Sequence, residues 1–211
     1  MEAFDPVPHA YLFFARAFSH PRKEFYDRLA SGEVQAWLKG VFARLPFDLS
    51  VDEALQFSAP WEEVDPEFIE TFDMSPTGAV PCPLYEGLVR RDQTRQEVFE
   101  DLLRFYEHFG VSFREEQREY PDRLCVELEF VAYLAQAERQ ALESGRQPRP
   151  LRLAQRDFLE RHLLAWFPLV NQKIPNATGE PFYVRAGSSL GRLLRNHHQY
   201  LQERLATGGI S

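Results

Sequence analysis

A carboxylate set inside an apolar helix is the first chemically informative feature of this sequence. In PDRLCVELEFVAYLA, residues 121–135, a helical wheel at about 100° per residue puts Leu124, Leu128, Val131 and Ala135 on one face, while Val126, Phe130 and Tyr133 cover much of the rest. A helix apolar almost all round must pack on several sides. Glu127 falls between Val131 and Leu134, inside that apolar surface, whereas Glu129 sits on a margin beside Cys125 and Tyr133. A buried carboxylate needs a partner or a proton. Two readings stand: a structural pairing with an arginine or a place at a helix-crossing edge, and the acidic floor of a groove. Asp122, at the start of the same helix, suits a cap on free amides at the positive end of the helix dipole. The triplet Pro121, Asp122, Arg123 after Tyr120 would equally project polar groups from a fixed helix end into a neighbouring cleft.

Other chemistries find little support. Cys82 and Cys125 form no CxxC, and the six histidines lack ligand spacing, so neither a disulfide framework nor a metal site is expected. His197 and His198 are adjacent, which makes their side chains diverge on a helix, and they read as surface histidines. Arg90 and Arg91 read as a solvated pair. No phosphate loop, dinucleotide fingerprint, HExxH or GxSxG is present. The net charge of -8 disfavours nucleic acid and favours a basic partner such as a cationic peptide. The two cysteines without disulfide spacing suit a reducing compartment, for which the cytoplasm fits best. The beginning MEAFDPVPHAYLFF lacks a basic n-region and no stretch reaches the roughly 20 apolar residues of a spanning helix, so neither a signal peptide nor membrane insertion is expected.

Helices must position these groups. Leucine occurs 25 times against 21 for valine, isoleucine and threonine together, and apolar residues recur at three-to-four spacing, which predicts an all-α single-domain bundle over residues 1–211. Tyr11, Phe14, Ala15 and Phe18 mark a first helix between Pro8 and Ser19. Further helices are predicted over Lys23 to Ala30, Glu33 to Leu45 with Val34, Trp37, Leu38 and Val41 on one face, and Asp65 to Phe72. Capping boxes at Ser50/Glu53 and Thr94/Glu97 open two more, the first running to about Phe57 and the second to a Gly110 cap. Pro121 opens the apolar helix, which runs to about Ser144 and is followed by a polar linker at about 145–150. A helix from Leu151 to Trp166 is expected to stop before Pro168, and the last from Ser188 to Ala206 before Gly208 and Gly209. Between them, three prolines and two glycines make residues 73–92 an irregular loop, long enough to be functional and too apolar to be disordered.

Four segments then resemble, in order, the TorD/DmsD/NarJ family of redox-enzyme maturation chaperones. AYLFFARAFSHP is similar to the family's first helix and following proline, and PEFIETF matches its Glu-aromatic motif through Glu67, Phe68, Thr71 and Phe72. CPLYEGLV resembles the Pro-Tyr-Glu loop through Pro83, Tyr85 and Glu86, and YPDRLCVELEF resembles the Pro-Asp-His motif with Arg123 where histidine is common. The acidic ELEF is closer to the branch serving nitrate reductase and other type II molybdenum enzymes.

The resemblance implies a cytoplasmic chaperone, not an enzyme and with no cofactor of its own. Such a protein binds the apo catalytic subunit of a molybdopterin enzyme, often at its twin-arginine leader, until the cofactor is inserted. It implies a client surface from Leu84, Tyr85, Glu86, Tyr120, Pro121, Asp122 and Arg123 with Glu127 beneath, offering exposed carboxylates to a basic segment. Monomer and dimer both fit. The rivals are a structural helical subunit of the redox complex and a nucleotide-dependent switch.

Overall fold

The computed structural model describes residues 5–49, 55–73, 80–112 and 120–207. Eleven α-helices follow one another there: α1 (Pro6–Ala17), α2 (Lys23–Ala30), α3 (Glu33–Phe42), α4 (Trp61–Phe68), α5 (Glu86–Val89), α6 (Arg95–His108), α7 (Leu124–Glu143), α8 (Arg149–Phe158), α9 (Leu164–Asn171), α10 (Ile174–Ala177) and α11 (Pro181–Thr207). Two π turns are spliced in, Ile69–Asp73 after α4 and Leu159–Leu163 between α8 and α9. Among the described residues every regular element is helical, and an isolated antiparallel bridge pairs Tyr85 with Arg123.

The apolar helix α7 is central. α1 lies along it, α8 packs on another side, and α11 packs on α8. Tyr11, Phe14 and Phe18 of the α1 stripe are fully buried, as are Leu124, Leu128, Val131 and Leu134 of α7. Burying side chains of this size stabilises by roughly 1.5–3 kcal/mol each. α7 is thus covered by α1, α8 and the second π turn, which accounts for most of its apolar pattern, while Glu129 and Tyr133 share the side left to solvent. Trp37 departs from its predicted face and stays 40% exposed, edge-on to His9.

Several boundaries move. The last helix begins at Pro181, seven residues before the expected Ser188, because buried Glu180 accepts the Phe182 N–H at 2.9 Å and caps it. Ser188 and Ser189 thus sit inside α11. Pro168 lies within α9 rather than ending a helix, and the chain reaches it through the wider π turn. α4 starts at Trp61, four residues before the expected Asp65, with Pro66 inside it. The Ser50/Glu53 capping box and Gly208/Gly209 lie outside the described residues, but residues 55–57, predicted as the end of that helix, are not helical. The Thr94/Glu97 box is present in both directions, and Gly110 takes φ +73° after α6. Among the described residues no helix is long and apolar enough to cross a membrane.

Candidate functional site

The loop at 80–92 and the turn at 120–123 are held together by backbone before any side chain contributes. Glu86 N–H donates to the Asp122 carbonyl at 2.8 Å and Leu124 N–H to the Leu84 carbonyl at 2.9 Å, the two bonds flanking the Tyr85/Arg123 bridge. Cys82 N–H donates to the Thr71 carbonyl at 3.0 Å, anchoring the loop's other end to the first π turn. These bonds satisfy polar groups that an irregular segment would otherwise bury unpaired. The Thr94 cap then returns the chain as α6 alongside.

Three carboxylates meet beneath this pairing. Glu86, Asp122 and Glu127 are each 0% exposed. The expected exposed acidic surface is therefore corrected: these groups face inward, and the protein neutralises them itself. Glu86 Oε1 accepts from Arg90 Nη1 at 3.0 Å, and its Oε2 lies 2.9 Å from His162 Nδ1. Arg90 also grips Asp92 and donates to the Arg161 carbonyl at 2.8 Å. The bonds to Asp92 and Glu86 outweigh its partial burial and raise its pKa. His162 Nε2 stands 3.4 Å from Asp101, which Arg161 holds at 2.6 Å. Arg90 is thus no solvated partner of Arg91: its side chain is 12% exposed.

Asp122 does not cap α7. That helix starts at Leu124 with Arg123 in the cap position and no side-chain cap bond. Asp122 Oδ2 instead accepts the Gly87 N–H at 3.2 Å and lies 3.5 Å from Arg95 Nε. Burial raises its pKa, opposed by Arg95 and the Gly87 amide. Glu127 has no arginine bound to it among the described residues. Its Oε2 accepts the indole N–H of Trp166 at 3.0 Å, and its Oε1 has no partner. Complete burial, then the neighbouring Glu86 and Asp122 charges, push its pKa well above the usual 4.5, which favours the protonated form relative to an exposed carboxylate.

The large apolar groups that reach the surface here are Tyr120 and Leu88, beside the exposed Arg91 and Asp92. Tyr120 is 53% and Leu88 52% exposed, while Tyr85, Pro121 and Arg123 are half-buried and Leu84 is buried. Tyr85 meets Tyr120 edge-on at 6.1 Å, and Phe99 of α6 lies 6.3 Å from Tyr120. The structure therefore brings the two predicted motifs together and divides them by depth. His162, Arg161, Trp166, Arg90 and Arg95 belong to this site and were not among the predicted residues. The four-residue spacing of Glu86 and Arg90 signalled one contact; the others join segments far apart in sequence.

The remaining predicted features are structural. Glu67 accepts from Thr178 Oγ1 and the Gly179 N–H, both at 2.6 Å, tying α4 to the start of α11, and Phe68 and Phe72 are core. His197 is no surface histidine: it is 2% exposed, bonded at 2.8 Å to the Tyr11 hydroxyl, and burial lowers its pKa to about 3. A separate cleft of about 770 Å³ is lined by Glu62, Glu63, Glu67 and Glu70 with Pro66 and Pro81.

Residues 47–172, which contain the whole of this network, match the sequence profile of the nitrate reductase delta subunit family. The chain belongs to the nitrate reductase delta subunit family. Its membership agrees with the TorD/DmsD/NarJ resemblance carried by the four motifs. This delta-subunit family member is 37% identical over 199 residues to the selenate reductase assembly chaperone protein of Thauera selenatis, covering 94% of this chain and 91% of that one. It is 37% identical over 191 residues to the chlorate reductase assembly chaperone protein of Ideonella dechloratans, covering 90% and 87%. It is 28% identical over 198 residues to the dimethyl sulfide dehydrogenase assembly chaperone protein of Rhodovulum sulfidophilum, covering 91% and 77%.

Proposed function

We propose that this chain is a cytoplasmic assembly chaperone, not an enzyme, that binds the apo catalytic subunit of a molybdenum oxidoreductase of the selenate and chlorate reductase kind. It engages that subunit, at its twin-arginine leader, its body or both, before cofactor insertion and export. The observation that carries the reading is the kinship along nearly the whole chain with proteins named as assembly chaperones. The site geometry supports it. A receptor for a partly folded client requires apolar groups that stay exposed without collapsing, and Leu88 on the loop and Tyr120 on the turn at 120–123 stay exposed beside half-buried Tyr85. The two segments are bonded to each other, with Glu86 tied to His162 of the second π turn and the Pro121 carbonyl accepting from Tyr106 of α6. The client surface is accordingly formed by Tyr85, Tyr120, Pro121 and Arg123, with Leu84, Glu86, Asp122 and Glu127 holding it in place from below.

Titration calorimetry with apo catalytic subunit purified from cells lacking molybdopterin tests this. Tyr85→Ala combined with Tyr120→Ala should weaken binding at least tenfold, since two aromatic anchors each contribute roughly 1–2 kcal/mol at an interface. Full affinity in the double variant would move the client site elsewhere, and absence of any complex with the wild-type chain would remove the reading.

A further inference from the structure

Arg95 occupies a clamp with the shape of a guanidinium receptor. Its Cζ lies 5.1 Å from the Phe99 ring centroid and 5.0 Å from that of Tyr120, so two aromatic faces wall the cation. Its stem crosses Gly87 so closely that a Cβ there would stand 2.6 Å from Arg95 Cγ, and Asp122 closes the back. Yet the fit is incomplete. The 3.5 Å from Arg95 Nε to Asp122 Oδ2 exceeds the roughly 2.7–2.9 Å of a charge-assisted bond. Arg95 Nε makes no hydrogen bond, and Asp122 Oδ1, on a side chain with no exposure, accepts none. The clamp opens to solvent, since the Arg95 side chain is 41% and Tyr120 53% exposed.

We propose that Phe99, Tyr120 and Asp122 form a guanidinium-binding site in which Arg95 is a resident occupant that an arginine of the client displaces. This rests on the chaperone reading above and names the client group recognised at that same surface. The exchange is neutral in charge: one guanidinium leaves for water and another enters, so Asp122 is never left as an uncompensated buried carboxylate. An incoming arginine that approaches along a different path can bond Oδ1, which Arg95 leaves unused, and gains the planar two-point contact that its side chain favours. Lysine, a compact ammonium, cannot stack or fork in this way. The resident arginine also sets an upper limit on affinity by competing, which suits a chaperone that must release what it holds.

The test is titration by heteronuclear NMR with N-acetyl-L-arginine amide, and N-acetyl-L-lysine amide as control. Arg95→Ala should bind the arginine probe at least tenfold more tightly than wild type and should prefer it to lysine; Tyr120→Ala added to Arg95→Ala should reverse the gain. Should Arg95→Ala fail to give a folded spectrum, Arg95→Gln keeps the stem and a donor and is expected to show a gain of several-fold. Equal affinity in wild type and the Arg95 variant, or equal affinity for arginine and lysine, overturns the clamp. Titrating the apo catalytic subunit into the same proteins separates the two ideas: undiminished client binding with no probe response leaves the chaperone reading standing and removes the clamp.

Discussion

Replacing Glu86 by alanine should be among the most destabilising single changes in this protein. Its carboxylate is fully buried and joins three elements: Arg90 at 3.0 Å within the loop, and His162 at 2.9 Å on the second π turn, which in turn faces Asp101 of α6 at 3.4 Å. Removing one member of a buried ion pair costs roughly 3–5 kcal/mol, because the partner is left as an uncompensated charge. Arg90 keeps Asp92 and the Arg161 carbonyl, and His162 keeps Asp101, so the lower end, about 3 kcal/mol, is expected. For a chain of this size that lowers Tm by roughly 6–12 °C. Glu86→Gln retains an acceptor for Arg90 and should lose roughly half as much. Urea unfolding followed by circular dichroism measures both, with Glu33→Ala, whose pair with Arg28 is exposed, as a control that should scarcely move. A double cycle with His162→Ala should give a coupling of about 1 kcal/mol or more. A loss under 1 kcal/mol for Glu86→Ala, or additive Glu86 and His162 losses, would refute the role of this buried network. The exposed-carboxylate view predicts the opposite for Glu86→Ala with Asp122→Ala, namely an unchanged melt.

Two further outcomes follow from the buried groups. Glu127 holds its proton in the folded state at pH values where the unfolded chain has lost it, so its contribution is fully present below the ordinary 4.5 and is lost as pH rises toward the raised folded value. Unfolding free energy measured from about pH 5 upward should therefore fall less steeply in Glu127→Gln than in wild type, and identical slopes would contradict a protonated Glu127. Gly87→Ala puts a methyl 2.6 Å from Arg95 Cγ and 3.1 Å from Asp122 Oδ2 and should destabilise by about 1–3 kcal/mol, read as a shift in the urea midpoint.

Helical content, the α1 stripe, the Thr94/Glu97 cap and the central place of α7 were all written in local pattern, because periodicity and capping depend on residues within a turn or two of one another. The pair of motifs that meets at the site was legible only through the family resemblance. Depth was not. Glu86 and Asp122 read as exposed carboxylates because nothing near them in sequence announces His162, 76 residues beyond Glu86, or the long crossing of Arg95 over Gly87. Glu127 was legible as buried from the wheel, yet its partner, the indole of Trp166, lies 39 residues away on a helix reached through a π turn that no spacing rule foretells. Propensity sets which stretches coil; whether a charge ends in water or beneath a loop is decided by which other segments arrive to solvate it, and that is a property of the packed chain alone.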